Sequence, residues 1–129
     1  MKILVVEDEH YVADLISRAL EQHGNSCIVA DCAEAADRLL ADEPVDAVTL
    51  DIGMPGRSGI DWLENVAGER PDLARRTLVI TGLLLDIGLV ERVRRCGAGV
   101  LAKPFTLDRL AEAVRCQLAH GRWDGDLPN

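Results

Sequence analysis

Aromatic side chains are nearly missing from this 129-residue chain: two Trp, one Tyr and one Phe make up 3% of it, against 48% hydrophobic residues overall. The interior must therefore pack from Val, Leu, Ile and Ala, a composition that suits strands buried on both faces of a parallel sheet. Cys27, Cys32, Cys96 and Cys116 form no C-x-x-C pair and have no His at metal-ligand spacing, so they read as free thiols of a reducing compartment. No apolar run approaches the roughly 18 residues of a membrane span, and no charged start leads into an apolar stretch of the secretory kind. Positive charge is scarce too. With 14 Lys and Arg against 22 Asp and Glu, the net charge is −8, which disfavours direct binding to nucleic acid or an anionic membrane. No internal repeat or linker interrupts the chain, and its length fits one domain. A soluble, cytoplasmic single domain is expected.

What is present is an alternation of strand and helix signals. Lys2 to Val6, "KILVV", is a β-type run broken by Glu7-Asp8-Glu9. Val12, Leu15, Ile16, Ala19 and Leu20 then recur at helical spacing up to Gly24. Ser26 to Ala30 reads as a second strand. A second helix over Ala33 to Ala41, with Ala36, Leu39 and Leu40 inward, is stopped by Glu43-Pro44. Val45 to Leu50 is the third strand and is followed by a helix over Gly59 to Gly68. Leu78 to Thr81 is the fourth strand. Asp86 to Cys96 is its helix, weakened by about 1 kcal/mol at Gly88. Val100 to Ala102 is a brief fifth strand. Thr106 opens the last helix as an N-cap, with Leu107, Leu110, Ala111, Val114 and Leu118 on one face. The tail, residues 121–129, has no period and is expected to be flexible, with Trp123 able to dock back. Five strands alternating with five helices predict a parallel sheet covered on both faces.

Ligands of such open sheets sit beyond the carboxyl ends of the strands. Glu7 and Asp8 follow the first strand, and Asp51 ends the apolar run of the third. Thr81 closes the fourth, and Lys103 follows the fifth. Each has an ordinary explanation alone: caps for the acids, a turn hydroxyl for Thr81, a surface amine for Lys103. Their joint placement at one sheet edge is far less expected by accident. Three carboxylates within a few ångströms repel unless a cation is bound, and their hard oxygens suit Mg²⁺. An Asp can carry a phosphoryl group as an aspartyl-phosphate, with metal, amine and hydroxyl stabilising the transferring oxygens.

Glu7-Asp8, "DIGMPGRSG" from Asp51 to Gly59, "ITG" from Ile80 to Gly82 and "KPF" from Lys103 to Phe105 together resemble the response-regulator receiver domain of two-component phosphorelay signalling. The likeness covers residues 1–120. It implies a flavodoxin-like (βα)5 α/β sandwich whose five-stranded parallel sheet has the order 2-1-3-4-5. It further implies that Asp51 is the phosphoacceptor, Thr81 the switch hydroxyl and Lys103 its ion-pair partner. Glu7, Asp8, Asp51 and the backbone carbonyl of Gly53 would hold Mg²⁺ or Mn²⁺. Family members take their phosphoryl group from a histidine kinase or histidine phosphotransfer protein, assist its gain and loss, and switch a downstream partner, in some cases as a homodimer. Such a protein is a phosphoacceptor rather than a turnover enzyme.

Several positions depart from the family pattern. Val100 stands where many members carry Tyr or Phe, so a swinging aromatic is absent, and the Gly97–Lys103 segment is a residue short. Gly53 and Leu83 replace polar residues that help place a hydrolytic water. Leu83, Leu84 and Leu85 run together after Thr81 and are expected to be chiefly core. Arg92, Arg94 and Arg95, with Arg70, Arg75 and Arg76, read as solvated helix ends. Two rival functions remain: a haloacid-dehalogenase-like aspartyl-phosphate hydrolase, and a receiver-like binding module that is not phosphorylated. The first wants a second Asp two residues after the nucleophile, where this chain has Gly53. The second sits poorly with intact Asp8, Asp51, Thr81 and Lys103.

Overall fold

A computed structural model describes residues 1–53, 58–82, 86–121 and 123. Its strands are β1 (Lys2–Val6), β2 (Ser26–Ala30), β3 (Ala47–Asp51), β4 (Thr77–Thr81) and β5 (Gly99–Ala102). Its helices are α1 (His10–Glu21), α2 (Ala33–Asp42), α3 (Gly59–Glu69), α4 (Pro71–Arg75), α5 (Ile87–Arg95) and α6 (Leu107–His120). The strands form one parallel sheet in the order β2-β1-β3-β4-β5, the expected arrangement.

The pleat sorts the aliphatic residues between two cores, because successive strand side chains point to opposite faces. Leu4, Val6, Val48, Leu50, Val79 and Val100 face α2, α3, α4 and α5, while Ile3, Val5, Ala47, Leu78, Ile80 and Leu101 face α1 and α6. With both faces covered, the strands need the continuous apolar runs seen in the sequence. Trp62 of α3 is fully buried, and its Nε1 donates to Asp37 Oδ1 of α2 at 2.7 Å. An indole N–H cannot be buried cheaply without such an acceptor.

Three details differ from the sequence expectation. The single turn α4 was not anticipated; Pro71 opens it, where a fixed φ and a missing N–H are tolerated. Leu107 is exposed rather than inward, because it is the first residue of α6 and the packed stripe begins three residues later at the buried Leu110. Arg92 is not merely solvated: its guanidinium bonds Glu64 Oε1 at 2.6 Å and Asp61 Oδ1 at 3.0 Å, tying α5 to α3. That pairing holds the Glu64 carboxyl below its usual range. Helix α5 forms despite Gly88, its start fixed by Asp86 Oδ1 accepting from the Leu89 N–H at 3.0 Å. Thr106 caps α6 in the same way through the Arg109 N–H.

Past α6, Trp123 docks back into the α1–α6 core. Its backbone N–H donates to Gln117 Oε1 at 2.8 Å, and the Arg109 guanidinium lies 5.1 Å above its ring. Gln117 is itself buried and donates to the carbonyls of Arg75 and Gly97. Residues 122 and 124–129 of the expected flexible tail lie outside the described residues, as do Leu83, Leu84 and Leu85.

Candidate functional site

Because all five strands run the same way, their carboxyl ends share one edge, and the β1–β3 pairing brings the residues after β1 beside the end of β3. Glu7 follows β1 directly, and its N–H continues the ladder to the Ala30 carbonyl at 2.9 Å. That bond turns the Glu7 side chain inward, where it is 2% exposed. Asp8, next in the chain, is half-buried. Asp51 is the last residue of β3, in register with Ile80 of β4, and its side chain is 12% exposed. One carboxylate oxygen from each of Glu7, Asp8 and Asp51 lies within 4.8 Å of the others.

Lys103 reaches this cluster from beyond β5. Its backbone N–H donates to the Thr81 carbonyl at 2.9 Å, and a cis peptide bond joins it to Pro104. Its Nζ stands 3.5 Å from Asp51 Oδ2 and 3.8 Å from Glu7 Oε2. Thr81, buried at the end of β4, pairs in register with Ala102. On the other side of Asp51, its Oδ1 accepts from the Gly53 N–H at 3.0 Å, an Asx-type turn that holds the carboxylate with both oxygens engaged.

The electrostatics are unbalanced without a further cation. Burial pushes the Glu7 carboxyl up to about 7, and the negative charge of Asp51 adds to that rise, against the opposing pull of Lys103 and the Glu9 N–H. Glu7 Oε1 accepts from that N–H at 3.3 Å, whereas its Oε2 is buried with no hydrogen-bond partner. A buried carboxylate oxygen left without a donor is costly. Three converging carboxylates and one orphaned oxygen form the hard, anionic donor set that a small divalent cation satisfies. The residues present therefore fit Mg²⁺.

Every acid and the lysine expected at the sheet edge are brought together, with Thr81 and Gly53 on the same edge. The Glu9 N–H that restrains Glu7 was not foreseen. A backbone donor leaves no trace in residue type, so no sequence signal could have found it.

Comparison with known proteins agrees with this geometry. A family model described as the response regulator receiver domain matches residues 3–115. The probable chemotaxis protein CheY of Rhizobium etli is 33% identical over 88% of this chain and 89% of its own length. The response regulator MprA of Mycobacterium avium is 34% identical over 98% of this chain, which spans only 54% of that protein. Among solved structures, the receiver domain of NtrX from Brucella abortus superposes with a TM-score of 0.82 at 30% identity, covering 92% of this chain and 98% of that one. A CheY-like receiver protein from Methanospirillum hungatei shares the fold, with a TM-score of 0.84 at 23% identity over 93% and 94% of the two chains. A flavodoxin-like sheet with its acids and lysine at one edge, and a family match across nearly its whole length, make this chain a member of the response regulator receiver domain family.

Proposed function

We propose that the chain accepts a phosphoryl group on Asp51 from a histidine kinase or histidine phosphotransfer protein, and that this changes how it binds a downstream partner. One observation carries the reading: the Glu7, Asp8 and Asp51 carboxylates within 4.8 Å of one another, with the Lys103 ammonium 3.5 Å from Asp51. Glu7, Asp8, Asp51 and the Gly53 carbonyl would hold Mg²⁺ or Mn²⁺, which when bound neutralises charge on the transferring phosphoryl oxygens.

The chain's own residues supply the rest. An Asp51 carboxylate oxygen attacks phosphorus in line, a P–O bond forms, and the P–N bond to the donor imidazole breaks with its electron pair returning to the ring. The Gly53 N–H fixes the attacking carboxylate. Lys103, already poised between Asp51 and Glu7, shifts to the new phosphoryl oxygens. Thr81, buried at the end of β4, supplies a hydroxyl to the same group. Hydrolysis returns Asp51 to its free form, assisted by the same residues, so the chain is a switch rather than an enzyme with an outside substrate. The hydrolase alternative lacks its acid, since Gly53 cannot protonate a leaving group. Partners of the chain are proteins, including a second copy, rather than nucleic acid or lipid, as the net charge of −8 supports. A cytoplasmic location is supported by four free cysteines, and among the described residues no helix is long and apolar enough to cross a membrane.

Incubation with acetyl phosphate and Mg²⁺, read by intact mass, tests the reading. Wild type gains one phosphoryl group, and Asp51→Asn gains none; equal labelling of the two rejects Asp51 as acceptor.

A further inference from the structure

Helix α3 starts unusually close to the acceptor turn. A methyl group at Gly59, the first residue of α3, would lie 2.6 Å from Ile52 Cα, 2.9 Å from the Asp51 carbonyl oxygen and 3.2 Å from Ile52 Cγ2. The first two are backbone atoms, which cannot rotate away as a side-chain end can. We infer that Gly59 is a positioning residue for phosphoryl acceptance: its missing side chain lets the first turn of α3 seat against Asp51 and Ile52 and thereby sets the Asp51–Gly53 turn.

What could give way decides the matter. Helix α3 is pinned from the inside, because Ile60, Trp62 and Leu63 are buried within its first turn and a half and Trp62 is hydrogen-bonded to Asp37 of α2. Its start is fixed as well, with Ser58 Oγ accepting from the Asp61 N–H at 3.2 Å. Asp61 and Glu64 are held to α5 by Arg92. On the other side, Asp51 is locked into the sheet opposite Ile80. Ile52 is itself buried in the core between the sheet and α2–α5, so what can give is the exposed Gly53 that follows it, outside both strand and helix. Gly53 donates the N–H that orients Asp51 Oδ1. A side chain at position 59 is therefore accommodated by displacing the turn that aims the carboxylate, and a misplacement of about 1 Å at a reacting group can cost on the order of 100-fold in rate.

This inference rests on the proposed role of Asp51, and a matched pair of variants separates the two. Gly99 is equally crowded, but at the amino end of β5: a methyl there would meet Gln117 Oε1 and, at 2.9 Å, the Trp123 carbonyl oxygen. Gly59→Ala and Gly99→Ala are both expected to lower the melting temperature. Gly59→Ala alone should also weaken Mg²⁺ binding by calorimetry, and slow labelling by acetyl phosphate, by about tenfold or more. In Gly99→Ala both quantities should stay at the wild-type value.

If wild type itself does not label while Asp51→Asn behaves identically, the acceptor reading fails. If wild type labels and Gly59→Ala matches it in Mg²⁺ affinity and rate, the positioning inference fails alone. Should Gly59→Ala not fold in buffer, the measurements are repeated in trimethylamine N-oxide, which favours the compact state. Ser58→Ala serves beside it, since loss of the α3 cap loosens the same turn without adding bulk. Ser58→Ala is expected to weaken Mg²⁺ binding several-fold; an unchanged affinity there, where Gly59→Ala does not fold even in the osmolyte, overturns the inference.

Discussion

The Lys103 ammonium lies 3.5 Å from Asp51 Oδ2, close enough to offset its charge but longer than a tight charge-assisted hydrogen bond. The same nitrogen is 3.8 Å from Glu7 Oε2, so one cation is divided between two acids. Lys103→Gln should therefore act in opposite directions on two measurements. Mg²⁺ affinity is expected to rise by about 3- to 10-fold, because a repelling charge has left the acidic cluster. Labelling by acetyl phosphate at saturating Mg²⁺ should fall, because the amine that meets the phosphoryl oxygens is gone. Parallel loss of both quantities would contradict this division of roles.

Glu7 gives the metal-free protein a predictable pH dependence. Its carboxyl binds a proton near pH 7 in the folded state and near its ordinary 4.5 when unfolded. Between those values the folded state holds more protons, so stability rises as pH falls from about 7 toward 4.5. Urea melts in EDTA from pH 8 to pH 5 should show it. Glu7→Gln is expected to remove most of the slope and to stabilise the metal-free protein at pH 8 by about 1–3 kcal/mol.

Metal should reverse the instability of the acidic edge. Wild-type protein is expected to melt several degrees higher in millimolar Mg²⁺ than in EDTA, through binding to the folded state alone. Asp8→Asn, which removes one of the three converging carboxylates, should lose most of that difference while its melting temperature in EDTA rises. Differential scanning calorimetry at pH 7.5 distinguishes the two.

Val100, buried in the core on the α5 side of the sheet, is too small to follow the Thr81 hydroxyl and has no hydroxyl of its own. Beryllofluoride with Mg²⁺, a mimic of the phosphoryl group, should thus move the backbone amides of Gly82 and Asp86 to Gly88 more than that of Val100. Amide spectra with and without the mimic check this, and the reverse ordering would reject it.

Asp37→Ala should strand the Trp62 indole N–H in the core. The expected cost is about 1–3 kcal/mol in urea unfolding, with Mg²⁺ affinity unchanged.

The sheet and its chemistry were legible because both rest on strong local signals. Four of the five strands are near-continuous aliphatic runs, and the acids, threonine and lysine fall where those runs stop. What stayed hidden depends on contacts that sequence spacing does not encode. Helix α4 is a single turn, too short to show a period, although Pro71 marks its start. Leu107 fits the apolar stripe of α6 by spacing but is the first residue of the helix, before the point at which packing starts with Leu110. Arg92 looks like any solvated arginine until α3 brings Asp61 and Glu64 to it. Trp123 could be expected to dock back, but nothing in its aperiodic tail shows that the buried Gln117 six residues earlier would receive its backbone N–H.

Strand β1 belongs to both cores at once: Ile3 and Val5 serve the α1–α6 side, while Leu4 and Val6 serve the other. It also lies between β2 and β3 in the sheet. Neither half of the molecule can melt while the other stays intact without tearing this shared strand from one set of neighbours. The domain is therefore built to unfold in a single cooperative step, and the acids that follow β1 hang from a strand held on both edges and both faces.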